Sequence, residues 1–385
     1  MNTRQRLIQI NRRNLSGGRS DLIEQADEIV EIPVTNYTDP VRWQLEVERV
    51  FHRLPLVAGF SCELRDVGSY KSIEMAGMPV LLCRDRSNKI GAFVNLCSHR
   101  GAVVVAEGGG KANSFSCPYH AWTYNLSGDL VSVRDSRDFG EIEKDCRGLV
   151  ALPVCERVGI IWVVLQPNLQ VDFDRFLQRY DEVLGYQGLE NYHLVGSKRI
   201  EGPNWKICYD GYLDIYHLPI LHRNTFGPEM PNRANYDAWG PHQTVTGPSL
   251  EYEHLAEVSD EDWPEENIAP GIKTIFPHVS IAGGLISQLF PGTEVGSSYT
   301  IQNLLISEEP TQERIEQAEE QFEFLNYVVR EEDYRTCENI QRGLGKGPAH
   351  VIFGRNEGGL QTFHRWVDDL ITTEDEDLAG LFPPI

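Results

Sequence analysis

Two pairs of metal-ligating side chains stand out in the first third of the sequence, where Cys97 is followed by His99, and Cys117 by His120. Two thiolates and two imidazoles can hold a [2Fe-2S] cluster of the Rieske type, with both cysteines on one iron and both histidines on the other. The same four side chains would also satisfy tetrahedral zinc. The spacing favours the cluster, because the first pair is Cys-x-His rather than the Cys-x(2-4)-Cys of zinc fingers.

Turn-forming residues accompany both pairs. Gly101 follows the first pair and Pro118 lies inside the second, and both residue types favour turned loops. Tyr119 and Trp122 are placed to shield the metal site on one side. The glycines at 108–110 predict a turn between strands. These residues predict that the four ligands lie on two loops of a small β domain.

A second candidate site lies in residues 204–222, NWKICYDGYLDIYHLPILH. Asp210, Asp214 and His217 stand at i, i+4 and i+7, so a continuous helix would put them on one face. The segment is otherwise rich in Tyr, Leu and Ile, so a solvated polar stripe does not explain them fully. The proline between the two histidines would distort the helix and return His222 toward His217. Two imidazoles need one carboxylate to complete a facial triad for Fe(II), with open positions for O2 and substrate.

The missing carboxylate is predicted on a long helix over 312–344. The apolar face of this helix advances in steps of three and four residues and reaches Asp333 where an apolar residue is due. A buried, unpaired carboxylate is costly, so Asp333 needs a cation or a proton. Its neighbours Glu331 and Glu332 fall off that face and are interpreted as solvated. The alternative is that the helix simply turns to solvent at Asp333.

Two helices are predicted in the amino-terminal part of the chain. Residues 1–36 have the pattern of a basic arm followed by a short helix that begins at Ser20, a suitable N-cap. A second helix is predicted from Asp39-Pro40 to about His52, with proline in its first turn.

The remaining pattern divides into a strand-rich part and a mixed part. β-branched and alternating runs over 55–165 predict short strands, whereas the residues after Pro167 alternate between helical and strand patterns. Pro291 and Gly292 predict a turn between two strands, and the stretch 251–266 is acidic enough to be a mobile loop.

Composition limits the class of protein. With 385 residues, 41% hydrophobic and 10% aromatic, the chain is long enough for two globular domains. The eight cysteines form no disulfide pattern, which favours a reducing compartment. No apolar run approaches the ~18 residues of a membrane span, and the amino terminus lacks the apolar stretch of a signal peptide. We therefore expect a soluble, cytoplasmic protein.

The negative charge is unevenly distributed. The net charge of −22 argues against a nucleic-acid partner. Residues 51–165 contain 13 basic and 12 acidic residues, whereas the rest of the chain contains 22 basic and 45 acidic residues. An acidic electron carrier could therefore approach the cluster part without strong repulsion. The alternative, that charge simply varies between domains, stays open.

Residues 80–130 resemble the Rieske domain of the ring-hydroxylating oxygenases. The resemblance rests on CSHRGA at 97–102, CPYH at 117–120 and WTYNLSGDL at 122–130. One departure is Ala121, where the family usually has Gly, and we expect the methyl group to be tolerated. The family is that of the Rieske non-haem iron oxygenases, the large (alpha) subunits of aromatic-ring-hydroxylating dioxygenases.

The second site resembles the catalytic part of the same family, so the resemblance extends over most of the chain. It implies that His217, His222 and Asp333 bind mononuclear Fe(II), and that Asp214 is the acidic residue before the two histidines. The family commonly has Glu-Asn where this sequence has Tyr209-Asp210. That departure puts in doubt the direct role assigned to the Asn, though not the metal site.

The resemblance also implies the fold and the assembly. It predicts an α+β protein with an all-β Rieske domain and a helix-grip catalytic domain that has a large antiparallel sheet, assembled as a ring of three. The expected divisions are an N-terminal arm and helix over 1–44 that pack on the catalytic domain, the Rieske domain over 45–165, and the catalytic domain over 166–385.

The function implied is that of a terminal oxygenase. Electrons from a ferredoxin or flavin reductase would pass through the cluster to mononuclear iron, which activates O2 and hydroxylates an organic substrate. Mono- and dioxygenation stay open, as do demethylation at N or O and a possible small beta subunit. A Rieske-type electron carrier is the first alternative, but about two hundred residues beyond the cluster domain would then have no task. A zinc-stabilised binding module is the second.

Two finer expectations concern the catalytic site. Asp214 is expected to join His217 of one subunit to His120 of the next. The substrate cavity is expected to be mostly apolar and to suit an aromatic or alicyclic compound. Its predicted lining is Leu213, Leu218, Leu221, Phe226, Ile275, Phe276, His278, Ile281, Leu289 and Phe322. His278 is more readily interpreted as a satisfied core histidine.

Overall fold

A computed structural model describes residues 1–20 and 22–384. The chain forms two compact units. The larger unit comprises Met1–Val50, Asp174–Gly188 and Tyr192–Ile385, and the smaller unit comprises Phe51–Phe173 and Leu189–Asn191. The smaller unit begins six residues later and ends eight residues later than the predicted Rieske domain, and the predicted arm belongs to the larger unit.

The amino-terminal elements belong to the larger unit. They are α1 (Thr3–Ser20), β1 (Val30–Pro33), α2 (Thr35–Thr38) and α3 (Pro40–Glu46), and a π-helical turn over Val47–Phe51 follows α3. Proline begins α3 as predicted, and the Asp39 side chain accepts a hydrogen bond from the Val41 amide.

The predicted short helix beginning at Ser20 is wrong, because the helix ends there instead. Its second residue, Asp21, lies outside the described residues, and no helix spans 22–29. The supposed arm is helical because Leu7, Ile8 and Leu15 are buried along α1. Arg12 of the same helix binds Asp260 at 2.6 Å, so basic residues of α1 contact the acidic stretch that was expected to be a mobile loop.

The smaller unit is built from short antiparallel strands, as predicted. They form the sheets β5-β4-β3-β6, β10-β11-β2 and β7-β8-β9. The glycines at 108–110 do not make a turn, because they pair with β3 as strand β6. The elements are β2 (Leu56–Phe60), β3 (Ser69–Met75), β4 (Met78–Arg84), β5 (Ile90–Val94), β6 (Gly108–Lys111), β7 (Phe115–Ser116), β8 (Thr123–Tyr124), β9 (Leu130–Ser132), α4 (Ser136–Phe139), β10 (Val154–Arg157) and β11 (Ile160–Val163).

The larger unit contains the predicted large antiparallel sheet, with seven strands in the order β12-β18-β17-β16-β15-β14-β13. A turn separates β17 from β18 where Pro291 and Gly292 predicted it. The elements after the smaller unit are α5 (Phe173–Leu177), α6 (Tyr180–Gly185), β12 (His193–Gly202), α7 (Trp205–Leu213), α8 (Leu218–Leu221), β13 (Asn235–Trp239), β14 (His242–Thr246), β15 (Ile272–Ile275), β16 (Val279–Ala282), β17 (Leu285–Pro291), β18 (Ser298–Ile306), α9 (Gln312–Val328), α10 (Arg335–Gly343), β19 (His350–Phe353), α11 (Gly358–Thr372) and α12 (Leu378–Leu381).

Both ends of the larger unit's sequence meet in a two-stranded sheet, in which β1 pairs with β19. None of the helices among the described residues is both long and apolar enough to cross a membrane.

A buried ion pair fixes α3 to α7. The side chains of Glu46 and Lys206 are both fully buried and bonded to each other, and the Trp205 indole N–H donates to the same carboxylate at 2.9 Å. Removing one partner of a buried pair leaves an uncompensated charge, which typically costs about 3–5 kcal/mol.

We therefore expect Glu46→Gln to lower the free energy of unfolding of the larger unit by about 3–5 kcal/mol. The measurement is the unfolding transition of this unit in urea. Glu182→Gln, which breaks a pair with the half-exposed Arg179, is the control and should leave the transition nearly unchanged. An equal effect of the two substitutions would contradict the expectation.

Candidate active site

The two Cys/His pairs lie on two loops with the same backbone pattern. The Gly101 amide donates to the Cys97 carbonyl at 2.8 Å, and the Ala121 amide donates to the Cys117 carbonyl at 2.9 Å. Both cysteines are buried in one hydrophobic cluster of the smaller unit. Ala121 has a φ of 55°, so it adopts the left-handed conformation that suits the glycine usual in the family.

The two predicted histidine ligands of the cluster lie side by side. The rings of His99 and His120 lie 4.8 Å apart. Trp122 stacks on His99 and Tyr119 stacks on His120, so the two aromatic residues cover different imidazoles rather than one side. The ring nitrogen Nδ1 of His120 is buried without a hydrogen-bond partner among the described residues. A buried nitrogen of this kind is costly unless it is satisfied, so the donor set fits a cluster ligated through imidazole nitrogen.

The second site brings two imidazoles and a carboxylate together. His217 Nε2 and His222 Nε2 lie 3.3 Å apart, and they lie 3.4 and 3.2 Å from Asp333 Oδ1. These three residues are the group within the described chain whose ligand atoms come close enough to share a metal ion. Two imidazoles and one carboxylate on one side of a point are the donor set of a facial triad for non-haem Fe(II).

Each histidine donates a hydrogen bond from its other ring N–H to a second carboxylate. His217 Nδ1 lies 3.2 Å from Asp214 Oδ2, and His222 Nδ1 lies 2.7 Å from Glu332 Oε2. This arrangement points Nε2 of each ring toward the shared position and fixes the ring orientation, as second carboxylates do around many metal sites. The two Nε2 atoms can therefore bind either a metal ion or a proton.

The chain reaches this geometry in a way that the helical pattern did not predict. Helix α7 ends at Leu213, and Asp214 has an extended backbone, so Asp210, Asp214 and His217 do not share one helical face. The break comes before His217 rather than at the proline. The short helix α8 then returns His222 to His217, because the His222 amide bonds to the Leu218 carbonyl at 3.1 Å.

Asp210 forms its hydrogen bonds with residues other than His217 and His222. Its carboxylate accepts hydrogen bonds from the Tyr37 hydroxyl at 2.8 Å and from His364 Nε2 at 2.9 Å. Tyr37 comes from α2 and His364 from α11, so both ends of the chain contribute to this part of the site. Sequence reasoning did not identify either partner, because nothing local marks them.

The long helix is continuous in sequence but not in geometry. A π-helical stretch over Val329–Tyr334 separates α9 from α10. This wider turn brings Glu332 as well as Asp333 to the histidines, so the prediction that Glu332 is solvated is wrong. Glu331 pairs with Arg330 at 2.7 Å on the surface, in agreement with the prediction. Such π-bulges are frequent at functional sites.

The carboxylates make the site strongly attractive to positive charge. Burial lowers the pKa of His217, but Asp214 and Asp333 outweigh it and raise the pKa to about 9. Burial likewise lowers the pKa of His222, while Asp333 and Glu332 raise it above its ordinary value. Burial raises the pKa of Asp333, and the two imidazoles lower it on balance. A divalent cation and the proton therefore compete for the same nitrogens.

Removing the carboxylate behind His222 should weaken metal binding. We expect Glu332→Ala to lower the affinity for Fe(II) by about 10–100-fold, because the imidazole loses the partner that orients it. The measurement is iron retention against a competing chelator. Glu331→Ala is the matched control on the same helix, and a similar loss in both variants would contradict a specific role for Glu332.

A cavity of about 420 Å³ adjoins the three ligands. Its lining is mostly apolar and contains Asp210 and Glu357 but no Lys or Arg. The other lining residues include Tyr37, Ile207, Cys208, Tyr212, Ile215, Leu218, Leu221, Ile272, Ser280, Ala282, Leu285, Ser287, Val329, Tyr334, Cys337, Ile340, Leu344, Val351, Ile352, Phe353 and Leu360.

Of the predicted lining, only Leu218 and Leu221 border this cavity. The others pack elsewhere: Leu213, Ile275, Phe276, His278, Ile281, Leu289 and Phe322 are buried in the core, and Phe226 is 40% exposed. The apolar strand residues face the core, whereas Ser280 and Ala282, on either side of Ile281, face the cavity, because successive side chains of a strand alternate between its two faces.

Comparison with known families agrees with both sites. The model for the Rieske [2Fe-2S] domain matches residues 55–144. The model for the catalytic domain of the ring hydroxylating alpha subunit matches residues 189–373.

Two curated relatives span most of the chain. Chloroplastic choline monooxygenase from Atriplex hortensis is 27% identical over 384 residues, which cover 91% of this chain and 80% of that protein. The oxygenase subunit of carnitine monooxygenase from Escherichia coli strain K12 is 27% identical over 360 residues, which cover 86% of this chain and 91% of that protein.

Solved structures share the fold. A quaternary ammonium Rieske monooxygenase in complex with gamma-butyrobetaine gives a TM-score of 0.74 at 21% identity, covering 90% of this chain and 97% of the other. A variant of naphthalene 1,2-dioxygenase bound to phenanthrene gives a TM-score of 0.74 at 17% identity, covering 94% and 98%. The family matches and the relatives that span both units show that this chain belongs to the Rieske non-haem iron oxygenases, as a terminal oxygenase with a [2Fe-2S] cluster and a mononuclear iron.

Proposed function

We propose that the chain hydroxylates a small organic cation, with the cluster held by Cys97, His99, Cys117 and His120, and with Fe(II) held by His217, His222 and Asp333. When bound, Fe(II) supplies the redox chemistry that activates O2. The observation that carries the proposal is the position of the triad beside a mostly apolar cavity whose lining contains Asp210 and Glu357 but no Lys or Arg.

The protein's own groups prepare the triad. Asp214 and Glu332 accept hydrogen bonds from the Nδ1–H groups of the two histidines, so each Nε2 presents a lone pair to the metal. The apolar lining excludes water from the substrate's body. The hydroxyl of Tyr212 lies 3.4 Å from that of Tyr334 at the cavity wall, where the pair can offer a hydrogen bond to a polar substrate group.

Electron transfer is proposed to cross between subunits of a trimer. Asp214 and His217 are partly exposed, with side-chain exposures of 24% and 20%, and the neighbouring Tyr216 and Ile220 are exposed at 60% and 78%. With Nδ1 of His120 directed to the cluster, its Nε2 is left for a carboxylate of another subunit. Asp214 is the candidate, since it already holds His217.

The electron donor is proposed to be a ferredoxin or a flavin reductase that docks on the smaller unit. The near-neutral charge of residues 51–165 supports this, because the remaining sequence carries 45 acidic against 22 basic residues and would repel an acidic donor.

Asp210 supports the proposal that the substrate is positively charged. Its carboxylate is bonded to His364, whose Nδ1 is buried with no partner within the described part of the chain. No Lys or Arg among the described residues lines the cavity to cancel the negative charge of this carboxylate. Burial raises the pKa of Glu357, and the neighbouring Asp214 and Asp210 raise it further. A cation in the cavity would relieve this repulsion.

The two relatives are named as monooxygenases of choline and of carnitine, which are compounds of this kind. Hydroxylation of a carbon bound to nitrogen leads to C–N cleavage, so N-demethylation is one outcome that the proposal covers. A neutral aromatic or alicyclic substrate is the second candidate, favoured by the apolar majority of the lining and by the shared fold with naphthalene 1,2-dioxygenase.

A substrate panel with 18O2 separates these candidates. We expect turnover of choline or another alkylammonium compound, with one labelled oxygen atom per turnover, either in the hydroxylated product or in the aldehyde that C–N cleavage releases, and much less turnover of indole or naphthalene. Preferred conversion of the neutral aromatics, or two labelled atoms in the product, would support the second candidate instead.

The negative charge of Asp210 should affect the binding of a cationic substrate but not the binding of a neutral one. We expect Asp210→Asn to raise KM for choline by about tenfold, which corresponds to about 1.4 kcal/mol. The KM for its neutral isostere 3,3-dimethylbutanol should stay close to that of the parent and serves as the internal control. Equal changes for both compounds would indicate a general disturbance of the cavity and contradict the proposed role.

A further inference from the structure

Two serines lie side by side in the mostly apolar wall of the cavity. Ser280 belongs to β16 and Ser287 to β17, and both line the cavity. They stand directly opposite each other in the antiparallel pairing of these strands. Directly opposed side chains share one face of a sheet, with their Cβ atoms about 4.5–5.5 Å apart. Both residues are buried, so the cavity contains two neighbouring hydroxyl groups that are sheltered from bulk water.

Two buried amides stand behind one of these hydroxyl groups. Gln302 Nε2 donates to Ser287 Oγ at 3.5 Å, and Gln302 Oε1 accepts from Asn326 Nδ2 at 3.1 Å. Gln302 lies on β18 and Asn326 on α9. Because the amide donates to the oxygen of Ser287, the O–H proton of this serine must point to a different acceptor. The Ser287 hydroxyl can therefore donate a hydrogen bond to a group in the cavity.

The charges around the cavity decide which polar group of a substrate the serines can bind. Among the described residues, the lining contains Asp210 and Glu357 but no Lys or Arg. A carboxylate would lose its hydration beside these acidic residues without gaining a cationic side chain as its partner, which is costly. An alcohol is uncharged, and it can donate to one serine while it accepts from the other. The two serines therefore suit a hydroxyl group rather than a carboxylate.

We propose that Ser280 and Ser287 bind a hydroxyl group of the substrate, so that the substrate is a small organic cation with an alcohol group and no carboxylate. The inference rests on the proposed function, in which Asp210 and Glu357 attract the positive charge. The serines lie on strands of the large sheet, whereas Asp210 lies on α7. Recognition of the hydroxyl group and recognition of the charge thus belong to different elements and can be tested separately.

Four ligands separate the two kinds of recognition. Choline carries both groups, ethyltrimethylammonium carries only the charge, 3,3-dimethylbutanol carries only the hydroxyl group, and glycine betaine has a carboxylate in place of the CH2OH group of choline. Dissociation constants are measured by titration calorimetry without oxygen, on the protein loaded with its cluster and Fe(II). We expect the parent to bind choline about fivefold more tightly than ethyltrimethylammonium. Glycine betaine should bind at least about 100-fold more weakly than choline.

Substitution of either serine should remove the preference for an alcohol. Ser280→Ala and Ser287→Ala should each weaken the binding of choline and of 3,3-dimethylbutanol by about fivefold and leave the binding of ethyltrimethylammonium unchanged. Thr274→Val is the matched control, because Thr274 pairs with Ser280 on the neighbouring strand but is not among the residues that line the cavity. This variant should keep the parent's dissociation constants for all four ligands.

Two results with the parent would overturn the inference without any variant: choline bound no more tightly than ethyltrimethylammonium, or glycine betaine bound as tightly as choline. Serine variants that weaken all the ligands equally, or none of them, would overturn it as well. Failure of the proposed function has a different signature. The parent would then bind 3,3-dimethylbutanol as tightly as choline, while the serine variants would still weaken the binding of both alcohols.

Discussion

His217→Ala is expected to leave the visible spectrum of the cluster intact while iron falls from three to two atoms per chain and turnover falls to background. The reason is geometric: His217 Nε2 is one of three atoms that converge, at 3.3 Å from His222 Nε2 and 3.4 Å from Asp333 Oδ1. Two remaining ligands on one side cannot complete a facial triad. The cluster is expected to survive because its four proposed ligands lie in the smaller unit.

The measurements are iron content, absorption spectrum and product formation on the same preparation. The matched control is His254→Ala, which removes an exposed histidine of the same unit and should retain all three iron atoms. Unchanged turnover in His217→Ala, or loss of the cluster spectrum together with the iron, would contradict the assignment of these residues to separate centres.

Asp214→Asn is expected to keep the cluster and most of the mononuclear iron but to lose nearly all turnover, about 100-fold. Asp214 Oδ2 lies 3.2 Å from His217 Nδ1 and is not itself among the three converging ligand atoms. An amide has one uncharged acceptor oxygen and an NH2 donor, so it cannot present a separate charged oxygen to each of two imidazoles as a carboxylate does. The main defect should therefore be electron transfer from the cluster.

Single-turnover oxidation of the reduced cluster measures this step directly, and gel filtration gives the mass of the assembly. Asp369→Asn, at an exposed position on α11, is the control and should oxidise its cluster at the parent rate. Parent rates in Asp214→Asn, or an active monomer of the parent, would exclude the bridge between subunits. If Asp214 only stabilised its own segment, the result would be a mild loss of stability with activity retained.

The proposed ligands could be selected from the sequence because their signals are local. Cys97 with His99, and Cys117 with His120, carry their chemistry within a few residues, and the periodicity of α9 reaches Asp333 where an apolar residue was due. The strands of both units followed from short alternating runs.

What sequence reasoning missed depends on contacts that are distant in the chain or on small changes of helical phase. The π-helical stretch that brings Glu332 to His222 has no marker in the composition. The predicted lining favoured apolar residues such as Ile281, but the cavity takes the alternate face of the same strand, with Ser280 and Ala282. Tyr37 and His364 meet Asp210 across 173 and 154 residues of sequence.

The pairing of β1 with β19 has a consequence for biosynthesis. Strand β1 cannot pair until its partner strand, about three hundred residues later in the chain at His350–Phe353, has been synthesised. Asp333, the last of the proposed iron ligands, is translated before that strand and before Phe353, Glu357 and Leu360 of the cavity wall. On the ribosome, the three residues of the proposed triad are therefore synthesised before the last part of the cavity wall, which is complete only when Leu360 has been added.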